Sequence, residues 1–256
     1  MYNNSMRNGI IDYIDESKFI YLQNEKIEET RLGIDTNKIV EIPNFIDPEV
    51  VPKMIDFFEN CNVDWGGIAF YGSLGKGILS DSAVVEKFGL PGNFFNELRD
   101  KYQEAVEKVF GRKVRPNTSH AQKWEVGGFA SPHSDNSDHD GNPNAFEINK
   151  YVGVLYLNDN YRGGELYFCS KDNDLEPYLS FKPNAYSYYV FPGGHENIHG
   201  VSEIVAGTRY TMVSFWDFEE IEYSEDIKSR WEEELKSVRK EQEKQREQWE
   251  SGNKFA

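Results

Sequence analysis

From Ser119 onward the period of the chain changes, and apolar residues come in short runs set apart by turn residues. Lys123–Phe129, Tyr151–Leu157, Glu165–Cys169, Leu179–Pro183, Tyr186–Phe191, His199–Ile204 and Arg209–Phe218 are such runs. Many short strands at about 8–12-residue spacing point to a closed or sandwiched β-fold. Tyr151–Leu157 is apolar on both faces, as a strand covered on both sides must be. The N-terminal half supplies the cover. Lys38–Ile46 reads as a strand, and Asp47-Pro48-Glu49 as an N-cap, a first-turn proline and a first-turn acid. A helix is predicted to follow, with Val50, Val51, Met54, Ile55, Phe57 and Phe58 at helical spacing, ending near Asn60–Asn62. A second is predicted over Pro91–Phe110, with Phe94, Phe95, Leu98, Tyr102, Ala105 and Val109 on one stripe. Both are expected to buttress one face of the sheet.

The segments around this core differ in composition. Residues 1–36 are polar with short apolar patches and are expected to form loose strands or a partly ordered arm. Residues 64–82, rich in glycine and aromatics, read as a surface hairpin or as a lid. Residues 224–250 are almost wholly charged, with Trp231, Leu235, Val238 and Trp249 as sparse apolar positions, and suit a solvated helix. The organisation expected is one domain over 1–256: an arm (1–36), a strand with support helices (37–117), a β-core (118–218) and a charged helical extension (219–256).

The formal charge is −16, from 44 acidic against 28 basic residues, which argues against nucleic acid as a partner. No apolar run is long enough to span a bilayer, and the first residues hold no apolar signal core. Cys61 and Cys169 are too few for a disulfide scaffold. Reduced thiols in a cytoplasmic protein are the expectation.

Within the β-core, His133 and Asp135 stand two residues apart, a spacing that places both side chains on one face of an extended segment. His199 follows in Gly-Gly-His-Glu-Asn-Ile-His-Gly, and Arg209 lies ten residues further on. Two imidazoles and one carboxylate form the facial triad that holds non-haem Fe(II) with coordination positions open. Arg209 is a permanent forked cation suited to a carboxylate, and Thr211, Val213 and Phe215 share its face.

This set resembles the 2-oxoglutarate- and Fe(II)-dependent dioxygenases, nearest to the prolyl 4-hydroxylase group. Besides His133-x-Asp135, His199 and Arg209, the resemblance rests on Tyr156-Leu157-Asn158 followed by Gly163-Gly164-Glu165. It implies a double-stranded β-helix (jelly roll) core with iron in its mouth, so the fold expected is mainly β with flanking helices. The implied metal ligands are His133, Asp135 and His199, with His199 preferred to His195 because of its interval to Arg209. Arg209 and Tyr156 are the implied contacts for 2-oxoglutarate. The implied cofactors are Fe(II), 2-oxoglutarate and O2, with ascorbate as a stimulant. The implied reaction is hydroxylation of an unactivated C–H bond, a prolyl residue of a peptide or protein being the nearest target and proline-rich partners the first to try. Succinate and CO2 would be co-products.

On the substrate side, Trp124 stands where the resembled group carries a tyrosine. Phe215 stands where it tends to place a tryptophan, with Trp216 expected to point away. Asn149 and Lys150 fall where several relatives hold an arginine for the peptide. Three other readings compete: the same chemistry on a free amino acid, a metabolite or another side chain; a cupin-like metalloprotein without 2-oxoglutarate; and a calcium-binding interaction module. The last rests on Asn136-x-Asp138-x-Asp140-Gly141 and Glu147, which follow an EF-hand loop except at the first position. Oligomeric state is not legible.

Overall fold

The computed structural model describes residues 6–62, 65, 71–74, 76–170, 174–233, 236 and 240. A hairpin of β1 (Met6–Arg7) and β2 (Ile10–Ile11) opens the chain. A seven-stranded sheet follows, built from β3 (Ile20–Gln23), β4 (Ile39–Ile42), β5 (Tyr71–Leu74), β6 (Val114–Trp124), β8 (Tyr151–Tyr156), β12 (Tyr188–Pro192) and β15 (Arg209–Phe218). Its spatial order is β3-β4-β12-β8-β15-β6-β5. The facing sheet has four strands: β7 (Ala130–His133), β10 (Leu166–Cys169), β11 (Pro177–Phe181) and β13 (Ile198–Val201), in the order β11-β10-β13-β7. A short pair, β9 (Arg162–Gly163) with β14 (Ile204–Ala206), closes one end. All these pairings are antiparallel.

The large sheet has two working faces, because successive side chains point to opposite sides. On one face, Leu155, Tyr188, Val190, Met212 and Trp216 meet the helices in the main core. Those helices are α1 (Val51–Asn60), α2 (Lys76–Leu79), α3 (Ser82–Glu86) and α4 (Phe94–Phe110). On the other face, Ile39, Val152, Phe191 and Val213 meet Leu166 and Phe168 of the small sheet. This inner layer is the jelly-roll interior, where the site lies.

The two expected support helices are α1 and α4, and the stripe predicted for α4 is buried. Gly111, at φ 66°, ends α4 in the left-handed conformation a helix C-terminus favours. The start of α1 is displaced from the expected position. Asp47 accepts from the Glu49 amide and closes a turn, Val50 is the cap residue, and Pro52 is the first-turn proline. Part of residues 6–36 joins the main core, where Ile10, Ile11 and Ile14 are buried. Of the stretch read as a hairpin or lid, residues 64, 66–70 and 75 lie outside those described; β5 pairs with β6.

A fifth helix, α5 (225–233), begins the charged extension and is tied down by its first turns. The Trp231 indole donates to Glu147 at 2.9 Å, and Arg230 donates to the same carboxylate oxygen.

One glycine sets how tightly the main core can close. A Cβ on Gly153, in the centre of β8, would lie 1.8 Å from the Tyr188 hydroxyl, whose ring stacks on Tyr102 at 4.5 Å. Gly153→Ala is expected to cost about 1–3 kcal/mol through overpacking. In a domain of this size the melting temperature then falls by roughly 2–4 °C per kcal/mol. Adding Tyr188→Phe removes the clashing oxygen and returns part of the loss. An unchanged melting temperature in Gly153→Ala would show that the sheet yields freely at this point.

Candidate metal centre

The centre is assembled on the small sheet by strand register. β13 and β7 pair so that His199 lies directly opposite His133, which puts both rings on one face with centroids 4.5 Å apart. Asp135 follows just beyond β7, fixed by its backbone amide to Gly193 O at 2.7 Å. Its carboxylate oxygens lie 3.8 Å from His133 Nε2 and 3.5 Å from His199 Nε2. Among the described residues these three form the one His/Cys/Asp/Glu group whose ligand atoms all fall within 4.8 Å of one another. His195, the alternative third ligand, instead packs on Gly141 and lies 3.6 Å from Glu196.

Both imidazoles are set up to ligate. His133 Nδ1 bonds Ser131 O at 2.8 Å and His199 Nδ1 bonds Asn197 O at 2.9 Å. A carbonyl only accepts, so each Nδ1 carries the proton and each Nε2 presents a lone pair to the cluster. Phe191 and Phe168 flank the His199 ring at 4.8 and 5.9 Å. Burial pushes the pKa of His199 down to about 4, against the pull of Asp135, so it stays neutral at ordinary pH. Asp135 Oδ2 is buried with no hydrogen-bond partner. This donor set fits a divalent transition metal of the non-haem iron type.

Arg209 enters the same interior from the large sheet. It is 2% exposed, its guanidinium lies 4.4 Å from the Trp124 ring and 5.5 Å from the Tyr156 ring, and its Nε has no hydrogen-bond partner. Nη1 donates to Gly164 O at 3.3 Å. Among the described residues no carboxylate forms an ion pair with it, and burial lowers its pKa. A buried, unpaired cation of this kind is the counterpart of an anionic ligand. Trp124, expected on the substrate side, lies as a platform against the Arg209 guanidinium.

Two interior residues of β6 escaped the sequence reading. Gln122 Oε1 accepts from Trp124 Nε1 at 3.1 Å, which turns its amide nitrogen toward His120 Nε2, also at 3.1 Å. An amide N–H only donates, so His120 Nε2 must accept and the proton sits on Nδ1. Burial lowers the His120 pKa to about 4, opposed by Asp135, and Phe215 stacks on its ring with centroids 6.1 Å apart. Only the pairing of β6 with β15 shows that His120 faces the site. Tyr161, between the runs Tyr151–Leu157 and Glu165–Cys169, is also buried here, its hydroxyl without a partner.

The remaining substrate-side residues divide. Phe215 faces the interior, as its alternation with Arg209 predicts. Trp216 points into the main core, donating to Ser214 Oγ at 3.0 Å. Asn149 and Lys150, expected near the peptide, are engaged with other residues of the chain. The Asn149 side chain is taken by Asn117 at 2.7 Å, and Lys150, 2% exposed, lies over Phe218 at 5.9 Å with Asp217 and Glu147 as its nearby charges. The calcium constellation is likewise not assembled. Asp138 spends its carboxylate on the amides of Asp140 and Asn142 and on the Asn142 side chain, and Glu147 is held by Arg230 and Trp231. Asn136 donates inward to Asn149 O at 2.9 Å.

Comparison with known proteins agrees with this geometry. Residues 119–217 match the family model of the 2OG-Fe(II) oxygenase superfamily. Prolyl 3-hydroxylase 3 of Mus musculus is 35% identical over 83 residues, which are 32% of this chain and 11% of that protein. Prolyl 3-hydroxylase 2 of Rattus norvegicus is 35% identical over 74 residues, covering 29% of this chain and 10% of that protein. The chain therefore spans about a tenth of the length of these curated relatives. Among solved structures, a 2OG-Fe(II) oxygenase family oxidoreductase from Burkholderia pseudomallei superposes with a TM-score of 0.51 at 15% identity, covering 70% of this chain and 84% of that one. HygX from Streptomyces hygroscopicus, solved with nickel and 2-oxoglutarate, gives 0.51 at 12% identity, covering 75% and 89%. The structural likeness establishes the fold.

Proposed function

We propose that this chain, whose residues 119–217 form a 2OG-Fe(II) oxygenase domain, hydroxylates an unactivated C–H bond, and that its target is a prolyl residue of a peptide or protein. One observation carries the reading. A His–Asp–His cluster with both Nε2 lone pairs free to ligate shares one interior with a buried guanidinium that has no protein anion. A metal site of another kind, such as a cupin without 2-oxoglutarate, has no use for that guanidinium.

In this reading His133, Asp135 and His199 hold Fe(II), and Arg209 with Tyr156 binds the distal carboxylate of 2-oxoglutarate. Bound together, iron and 2-oxoglutarate would supply the oxidising power for hydroxylation by O2, with succinate and CO2 as co-products. The protein's own part is to position and to exclude water. The Ser131 and Asn197 carbonyls fix both imidazoles, and Phe168 and Phe191 wall His199 from solvent. Trp124 holds the guanidinium in place from below. The entrance lies at His133, whose side chain is 43% exposed against 8% for His199.

The prolyl target is supported by the names of the relatives, which are prolyl 3-hydroxylases. The residues of the resemblance pointed to the 4-hydroxylase group, so the ring position is a question for product analysis. The test is succinate formation with Fe(II), 2-oxoglutarate and ascorbate, with and without a proline-rich peptide, followed by separation of 3- and 4-hydroxyproline. Peptide-stimulated succinate with hydroxyproline is expected. Iron-dependent succinate without peptide stimulation would retain the oxygenase and reject the prolyl target. No succinate from folded, iron-loaded protein would reject both.

A further inference from the structure

Tyr161 lies between β8 and β9, in a stretch whose sequence reads as a turn. Turn residues usually face water, yet Tyr161 is 2% exposed and its hydroxyl has no hydrogen-bond partner. Arg209 Nε, also buried, has none. The two side chains meet at one glycine. Arg209 Nη1 donates to Gly164 O at 3.3 Å, and a Cβ on Gly164 would stand 2.9 Å from Tyr161 Cε2, the ring carbon beside the one that bears the hydroxyl. Trp124, which stacks under the guanidinium at 4.4 Å, packs in the same apolar group as Tyr161, with Val201 and Ile204. Gly207 approaches Tyr161 closely: a Cβ there would lie 3.0 Å from Tyr161 Cα.

A guanidinium has no acceptor atom, and its Nε–H needs one. A phenol buried from the surface needs an acceptor for its O–H as well. Two buried donors with no protein acceptor are satisfied together by a group that has several lone pairs. A carboxylate has two oxygens with about four such sites. We propose that Tyr161 is a second phenol contact, beside Tyr156, for the distal carboxylate of the 2-oxo acid, and that it makes the pocket select dicarboxylic over monocarboxylic 2-oxo acids. The inference rests on the oxygenase reading above. Burial raises the pKa of Tyr161 far above the usual phenol range, so the group remains a donor wherever the protein is folded.

The test is calorimetric titration of the Mn(II)-loaded full chain, which cannot turn over, with 2-oxoglutarate and with 2-oxobutyrate. Tyr161→Phe removes one oxygen and is expected to weaken 2-oxoglutarate binding by about 10- to 100-fold, the range for a hydrogen bond to a charged group. Binding of 2-oxobutyrate, which lacks the distal carboxylate, stays unchanged. A Tyr161→Phe protein that binds 2-oxoglutarate as the parent does, while Arg209→Met loses it, overturns the inference and leaves the oxygenase reading standing. A parent that does not bind 2-oxoglutarate overturns both. If Tyr161→Phe fails to fold, the parent labelled with 13C at tyrosine Cζ decides. Two buried tyrosine signals are expected to move with 2-oxoglutarate and not with 2-oxobutyrate, and a single moving signal overturns the inference.

Discussion

His199→Ala is expected to abolish iron binding and 2-oxoglutarate turnover while the protein remains folded. Loss of an outer-shell partner of a metal ligand typically costs 10–100-fold in affinity or activity, so loss of the ligand itself should exceed about 100-fold. His199 is the more enclosed of the two imidazoles. It is 8% exposed, flanked by Phe168 and Phe191, and its Nε2 lies 3.5 Å from Asp135. The same variant has a stability signature in the metal-free protein. The folded-state pKa of His199 is lowered by burial from 6.5 to about 4, so the unfolded chain takes up a proton that the folded chain refuses. That contribution to stability is complete above about pH 6.5 and is lost progressively as the pH falls toward 4. Metal-free His199→Ala should therefore lose less stability than the parent across this window, followed by denaturant melts at several pH values. A variant that still binds iron tightly, by anaerobic titration, would remove His199 from the ligand set.

The readable and unreadable parts of this site differ in how far apart in sequence their causes lie. His133-x-Asp135 shows itself because two-residue alternation is local, and Arg209 because its distance from His199 is set by one short connection and the start of a strand. A closed or sandwiched β-fold follows from repeated short apolar runs, and the jelly roll is what the resemblance implies. The start of α1 went astray by a few residues because Asp47 has two uses, as a helix cap or as a turn former, and the local sequence permits both. His120 and Gln122 are invisible for a different reason. Their inward direction is decided by the register that pairs Gln122 with Thr211 and His120 with Val213, a contact some ninety residues long in sequence. The His120 tautomer depends in turn on the amide orientation that Trp124 imposes on Gln122. Tyr161 and Lys150 fail in opposite senses. A tyrosine in a turn-like stretch proves buried beside Arg209, and a lysine expected at the substrate lies over Phe218.

Arg209→Met is expected to raise the stability of the ligand-free protein and to remove its response to 2-oxoglutarate. The guanidinium is 2% exposed, stacked between aromatic rings, and hydrogen-bonded at Nη1 to Gly164 O, while Nε is unpartnered. Without a carboxylate to pair with, such a cation carries a desolvation cost that its cation–π contacts offset only in part. Methionine fills much of the same space with no charge, and replacing buried ionic groups by apolar ones is often neutral or stabilising by about 1–4 kcal/mol. At roughly 2–4 °C per kcal/mol for a domain of this size, the ligand-free melting temperature should rise by several degrees. Ligand binding runs the other way. Truncating one partner of a buried charge pair costs about 2–5 kcal/mol, or roughly 30- to 5,000-fold in affinity. A parent melting temperature that climbs with 2-oxoglutarate concentration, beside a variant that starts higher and stays flat, is the expected pair of curves. Equal climbs in both would mean that the carboxylate is held elsewhere. A variant that starts lower would mean that the cation–π stack and the Gly164 bond already outweigh the cost of burying the charge. On the expected outcome, the stability sacrificed at Arg209 in the empty protein would be what makes the pocket demand an anion: the guanidinium would be better satisfied with a dicarboxylate than without one, and the free energy of that difference would appear as affinity.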